Sequence, residues 1–479
     1  MRQNSRNLIQ SIILAALIGM ALNPPAEAQR PMTPAQLTER AIERRAIEAA
    51  NWGMPAVNFD RMVQAMLGAK GAFNQIVYWS GFLDWKNQTL TPNPDTIHFK
   101  PFIDMKDVGP MVLEIPPAGD AGSITGTIMD SWQAALEDVG PAGVDKGKGG
   151  KYLILPPSYK DAPLDGYIVL PSQTYQGFAL LRSIVKSGSS ADIAKAVDYG
   201  KQIRLYPLSQ SASPPQTVFV DMINVVFDAT IPYDSRFFQS LDRMVQSEPW
   251  LERDKVMIDM LRSIGIEKGK PFKPDAKTEG ILSAAISETH SWLNARYETV
   301  FPPYYGAGNW FIPATGDLRA TAPTFYETAD AYSVDARGLT DYWAFSTIKR
   351  LGAGQFYLMS IRDKAGASLD GSTNYRLTVP ANAPATQYWS AVVYDRATHA
   401  LIRNASRLSR SSQNPDLQKN ADGSVDVYFG PKAPAGKRTN WIPTNPGGRF
   451  EVLFRVYGPE KPLFDKTWRL PDIEKVAAR

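Results

Sequence analysis

The sequence predicts an α+β chain, mainly β, built as two antiparallel β-sandwich or jelly-roll-like modules joined by a helical region. Three observations predict it. Short aromatic and β-branched runs punctuated by Gly and Pro fill residues 75–189 and return after residue 351. Helical periodicity separates the two sets. The 479 residues, 44% of them hydrophobic, supply apolar material for more than one core. The expected organisation is a signal peptide over residues 1–28, a helical segment over 29–74, a β module over 75–189, a helical linking region over 190–350 and a jelly-roll-like β module over 351–479.

Taken in order, Arg2 and Arg6 precede an apolar stretch from Ile9 to Leu22, followed by Ala26-Glu27-Ala28. This is the pattern of a secretory signal cleaved after Ala28, which predicts a periplasmic or secreted protein. Its apolar core is shorter than a span requires, and no later stretch is long and apolar enough to cross a bilayer. The chain has no cysteine, which excludes thiol nucleophiles, iron–sulfur clusters and thiolate zinc sites. A formal charge of +4, with basic residues scattered, argues against nucleic acid as a partner.

Thr33-Pro34-Ala35-Gln36 reads as a capping box opening a helix whose apolar face carries Leu37, Ala41, Ile42, Ala46 and Ile47; a second helical piece is expected from about Phe59 to Leu67. Strands are expected from Gln75, at Met111–Ile115, Ser123–Asp130, Tyr152–Leu155 and Tyr167–Leu170. The glycine-rich run Gly140–Gly150 lacks P-loop spacing and reads as a mobile loop. Helices are expected over Ser190–Leu205, Phe237–Gln246, Arg253–Ile264 (stopped by Gly265) and Thr278–Thr299, the last with His290 on its apolar face as a core residue. Gln355–Arg362 and Tyr375–Val379 flank Asp370-Gly371, and Asp422-Gly423 precedes Val425, Val427 and Phe429; both Asp-Gly pairs are hairpin signals. Phe450–Val456 alternates as a half-buried strand with Arg449, Glu451 and Arg455 outward, although Leu453 on that outer side suggests that it too is covered.

The stretch with the strongest look of a site is Thr91-Pro92-Asn93-Pro94-Asp95-Thr96-Ile97-His98-Phe99, where two prolines stiffen a polar turn just before a strand. Together with Met129-Asp130-Ser131-Trp132 and Gly150-Lys151-Tyr152 it resembles domain of unknown function 1254. Asp370-Gly-Ser-x-Asn374-Tyr375-Arg376-Leu377, Tyr388-Trp389-Ser390 with Tyr394-Asp395, Asn420-Ala-Asp422-Gly423-Ser424, Asn440-Trp441-x-Pro443 and Arg455-x-Tyr457-Gly458-Pro459 resemble its C-terminal companion, domain of unknown function 1214. The resemblance implies two β modules, the second like a jelly roll, buttressed by helices, with no established activity. His98 stands where that family commonly has an aromatic residue, often tyrosine.

For chemistry, no Gly-x-Ser-x-Gly elbow occurs, and His98, His290 and His399 lie far apart with no zinc-ligand spacing. A divalent metal held by oxygen ligands stays open. Paired carboxylates are the stronger enzyme reading: Asp95 and Asp130 as acid and base, or nucleophile, on a glycosidic bond, with Asn93, Thr96, His98, Trp132 and Arg182 binding the substrate. The expected activity is hydrolase or lyase action on a carbohydrate or related small envelope compound. The alternatives are a periplasmic module binding a small molecule or glycan, with the 11 Trp and 20 Tyr offering stacking faces, and an envelope structural or assembly protein. An enzyme should gather Asn93, Asp95, Asp130 and a cation, Arg182, around one cleft. Whether the chain forms a homo-oligomer is not legible.

Overall fold

The computed structural model describes residues 31–161, 165–344, 348–350 and 354–476, so the expected signal peptide lies outside the described residues. Among those described, no helix is long and apolar enough to cross a membrane.

The capping box forms as expected: Thr33 N–H donates to Gln36 Oε1 at 2.9 Å and Gln36 N–H to Thr33 Oγ1 at 3.3 Å. Helix α1 then runs from Pro34 to Gly68 without a break, through Pro55, where two pieces were expected. Every residue from Ala49 to Asp60 is buried, so this stretch has no wet face and the one-sided periodicity that marks a helix vanishes.

The N-terminal module is a sandwich. One sheet has strands β1 (Gln75–Tyr78), β2 (Ile97–Asp104), β4 (Ile124–Asp130), β5 (Ala135–Val139), β8 (Gln176–Ser183) and β10 (Phe219–Asp221) in the order β10-β1-β2-β8-β4-β5. The other has β3 (Met111–Ile115), β6 (Gly150–Leu155), β7 (Ile168–Pro171) and β9 (Arg204–Pro207) in the order β9-β3-β6-β7. β9 and β10 come from the stretch expected to be helical linker. Helix α2 (Ser190–Gly200) is shorter than its pattern because Gly200 sits on the Phe99 ring, and the chain turns there into β9. Gly140–Gly150 is not a loose loop: the Asp145 carboxylate accepts from the backbone of Gly140 and Gly149 at 2.7 and 3.1 Å.

Ile97, Phe99 and Ile103 of β2 join Met111, Leu113, Tyr152 and Ile154 in the core between the sheets. Alternate residues His98, Lys100 and Phe102 point to the other face. That face is also covered, in part by α1, whose Phe59 ring lies 6.5 Å from Phe102 and 5.7 Å from Phe178. β2 is therefore buried almost throughout, and polar residues on it are interior.

Helices α3 (Arg236–Ser247), α4 (Lys255–Ser263), α5 (Ala276–Thr299), α6 (Gly316–Thr321) and α7 (Val334–Trp343) follow. The apolar face of α5 is the one read from the sequence, and His290 packs on it against Tyr233, with ring centroids 4.0 Å apart. Gly338 of α7 lies so close to Asn51 of α1 that a Cβ there would overlap it.

The C-terminal module is a second sandwich. One sheet runs β11 (Gln355–Ser360), β17 (Phe450–Pro459), β13 (Ala385–Asp395), β14 (Ser409–Ser411), and the facing sheet β16 (Trp441–Pro443), β15 (Val425–Gly430), β12 (Tyr375–Val379), β18 (Glu474–Lys475); the short helix α8 is Lys461–Phe464. Trp389, Ala391, Val393, Val452, Phe454 and Val456 face the core between the sheets. The Asp-Gly pairs turn the chain without making hairpins. β11 pairs with β17 and β12 with β15, so Asp370-Gly371 carries the chain from one sheet to the other, as sandwich connections do. Arg455 and Glu451 are 2% and 0% exposed, which corrects their reading as outward residues; Leu453 was the truthful signal on that face.

Candidate functional site

The outer face of the β11-β17-β13 sheet, carrying Tyr357, Tyr388, Tyr394, Arg455 and Tyr457, receives the proline-stiffened stretch of the N-terminal module. Arg455 Nη2 donates to the Thr91 carbonyl at 2.8 Å, and the Tyr394 hydroxyl to the Pro92 carbonyl at 2.6 Å. Asn93 Nδ2 donates to both Tyr388 and Tyr457 hydroxyls, each at 2.9 Å, and those two rings stack at 4.5 Å. Thr91 N–H reaches the His399 carbonyl at 2.7 Å. The Ser409 hydroxyl donates to Asp95 Oδ1 at 2.6 Å. The motifs of the two halves thus meet one another.

Inside the stretch, Asn93 Oδ1 accepts from Asp95 N–H at 3.0 Å, closing an Asx turn. His98 Nε2 lies 2.8 Å from the Asn93 carbonyl, which can only accept, so the proton sits on Nε2 and Nδ1 carries the lone pair. Burial, with the charges of Arg182 and Lys100 beside it, holds the His98 pKa well below the usual range and keeps the ring neutral. Thr96 donates to the Ser183 carbonyl at 2.9 Å and ties β2 to β8.

Against this junction lies a cavity of about 630 Å³. Leu90, Leu180, Ile312, Trp343, Phe356 and Leu453 form apolar walls, while Asn93, His98, Arg182, Tyr357 and Arg455 supply polar groups. Arg182, opposite His98 in the β2–β8 register, is 9% exposed. Among the described residues its guanidinium has no hydrogen bond or ion pair, and its Nε is buried without a partner. Lys349 and Arg350, also on the wall, are matched by Glu137 and Asp138.

The two expected catalytic carboxylates do not come together. Asp95 lies behind the wall; its pKa is raised by burial, with Ser409 and Arg455 pulling the other way. Asp130 pairs with Gly177 at the far end of β8, whereas Arg182 pairs with Thr125 five residues on, and Asp95 lies beyond Arg182 again. Along the sheet that is a separation of roughly 20 Å, where a glycosidase pair stands about 5–9.5 Å apart. Asp130 Oδ1 accepts from the backbone of Trp132 and Ala134 at 2.9 and 2.8 Å, and burial raises its pKa to about 6. Trp132 packs on Trp52 at 4.6 Å under the Arg337 guanidinium and does not line the cavity. Of the residues singled out in the sequence, the structure brings Asn93, His98 and Arg182 together on one wall, holds Asp95 and Thr96 in the joint beside it, and sets Asp130 and Trp132 apart.

Two other readings also lack a structural basis. His399 Nδ1 meets Glu451 Oε1 at 2.8 Å, as in the acid–histidine half of a triad, but Nε2 faces Arg396 at 3.4 Å and not a hydroxyl. Among the described residues no three His, Asp or Glu side chains cluster as metal ligands would. Sequence reasoning missed Tyr357 on the cavity wall and Tyr388, Arg455 and Tyr457 as partners of the N-terminal motif. Most of these stand in the C-terminal motifs, but nothing in a linear reading says which strand face meets which turn.

A family model described as a protein of unknown function, DUF1254, matches residues 73–207, and another so described, DUF1214, matches residues 354–461. The crystal structure of the VPA0106 protein from Vibrio parahaemolyticus is similar with a TM-score of 0.56 at 16% identity, over 91% of this chain and 100% of that one, a likeness of fold alone. A putative uncharacterized protein from Burkholderia cenocepacia aligns over 91% of this chain and 94% of its own at 11% identity and a TM-score of 0.40. No curated protein matches.

Proposed function

We propose, from the premise that the chain belongs to the family joining DUF1254 to DUF1214, that the cavity at the junction of its two modules binds a small molecule that is apolar along most of its length and polar at one end. One observation carries this reading: a space of about 630 Å³ with mainly hydrophobic walls and a few convergent polar side chains is the common form of a small-molecule site. The motif residues Asn93 and Arg455, one from each module, reach that wall. The export read from residues 1–28 makes the periplasm the compartment of this proposal.

Carbohydrate hydrolysis through Asp95 and Asp130 draws no support from the geometry, because the carboxylates stand too far apart to share a bond. A sugar would also leave most of its hydroxyls against apolar side chains without partners, which is unfavourable. The ligand-binding alternative is therefore the reading we adopt.

The test is native mass spectrometry of protein taken from the periplasmic fraction of a Gram-negative host, followed by a thermal-shift panel of fatty alcohols, fatty acids, aromatic acids and glycans. We expect a dose-dependent rise in Tm with an amphipathic member, none with glycans, and loss of the rise in Leu180→Trp, which fills the cavity. No shift with any amphipathic compound would overturn the reading.

A further inference from the structure

We propose that the polar end of the ligand is a singly charged carboxylate and that Arg182 is the residue that takes it. This rests on the binding reading above and adds its head-group chemistry.

Of the buried cations on the cavity wall, Arg182 is the one with no hydrogen bond or ion pair among the described residues. Arg455 donates through Nη2 to the Thr91 and Pro92 carbonyls and acts on the Asp95 carboxyl behind the wall, while its Nε and Nη1 are buried without a partner. Lys349 and Arg350 face Glu137 and Asp138, and the Asp138 carboxylate also accepts the Lys349 and Arg350 backbone N–H groups. His98 is neutral, its Nε2–H spent on the Asn93 carbonyl. Arg319 is on the exposed side of the wall, where water screens it. Arg182 is left: a guanidinium in the interior of a β strand, on the cavity wall, with no anion among the described residues.

An arginine does not lose its proton in a protein, so burial cannot relieve the Arg182 charge by neutralising it. Holding such a charge unpaired is unfavourable, and an anion brought by a ligand removes the penalty. The planar fork of donors suits a carboxylate, two oxygens to two N–H groups. Tyr357 lines the same wall, its ring 5.2 Å from the Arg455 guanidinium, and brings a phenol to the polar end. A phosphate monoester, close to doubly charged at neutral pH, would carry one negative charge more than Arg182 balances. An alcohol would leave Arg182 without a counter-charge. Arg182, the buried wall cation without a bond of its own, thus favours a monoanion.

The test uses the full chain and three probes with one tail: decanoate, decyl phosphate and decanol, with 4-phenylbutyrate as a second body, titrated by calorimetry at pH 8. We expect decanoate or 4-phenylbutyrate to bind tighter than decyl phosphate or decanol by tenfold or more. Arg182→Gln should remove that advantage while decanol affinity stays within about twofold, and Arg182→Lys should restore part of it. The ranking in the unaltered protein needs no variant, so it decides the question even if Arg182→Gln does not fold. Decyl phosphate or decanol binding as tightly as the carboxylates overturns this inference and leaves the binding reading standing. Failure of all four probes overturns the reading beneath it.

Discussion

The junction and the cavity wall lie side by side and use the same kinds of residue, yet they treat charge in opposite ways. At the junction Arg455 Nη2 meets two backbone carbonyls and the guanidinium acts on a carboxyl, although its Nε and Nη1 have no partner, and Asn93 uses both ends of its amide. On the wall, Arg182 is buried too, but faces the cavity and has no bond among the described residues. A buried polar group that the fold supplies with partners is accounted for by folding; one that it leaves without them asks for something from outside. The difference separates structure from function here better than residue type does, since both regions hold a buried arginine.

The contrast is broken most directly through stability. Arg455→Ala removes the donor to the Thr91 and Pro92 carbonyls and leaves those buried acceptors unmatched, so we expect a loss of about 1–3 kcal/mol in denaturant unfolding, the scale of an unsatisfied buried group. Arg182→Leu removes a charge that has no described partner, and should leave stability unchanged or raise it. Equal losses in the two variants would erase the distinction.

Much of the fold was legible because it rests on local signals. The Thr33–Gln36 capping box, the apolar face of α5 and the alternation in Phe450–Val456 each follow from the period of one element. Where an element is buried on every side that period disappears, as it does in α1, and where a strand pairs far along the chain no turn announces it, as with β11 and β17. The site divides in the same way. Asn93, His98 and Arg182 were marked by a stiff turn and a strand-borne cation, while the distance between Asp95 and Asp130 depends on the register of β8, which the sequence does not display.

The positive excess beside the wall should also appear in the pH dependence of stability. Lys100, on the same face of β2 as His98 and packed between the Trp79 and Phe227 rings, has its pKa lowered to about 7 by burial and by the Arg182 charge. Its folded-state pKa lies below the ordinary 10.5, so the unfolded chain binds the extra proton between the two values and stability rises with pH from about 7 to about 10.5. Asp130, raised to about 6 by burial, acts at the other end: its contribution is full below about 4 and is lost as pH climbs through 6. Thermal melts across pH should therefore pass through a minimum near neutrality. Lys100→Met should flatten the alkaline limb by a few degrees in Tm and leave the acid limb alone, whereas an unchanged alkaline limb would place the titration elsewhere.

The smallest effect sharpens the junction side of the comparison, at Asp95. If its carboxyl serves the joint, what matters is an oxygen that accepts from Ser409 and a backbone N–H held by Asn93, and the charge matters little, since burial already disfavours it. Asp95→Asn keeps an acceptor oxygen in nearly the same shape, so stability should move by no more than a few tenths of a kcal/mol, within the scatter of conservative changes. Asp95→Ala removes the acceptor and leaves the Ser409 hydroxyl unmatched, which costs on the order of 1 kcal/mol. Neither change alters the unmatched charge of Arg182, so decanoate affinity should hold within about twofold in both. A loss of tenfold or more in Asp95→Asn, with stability intact, would move Asp95 from the joint into the binding site and dissolve the boundary between the two regions.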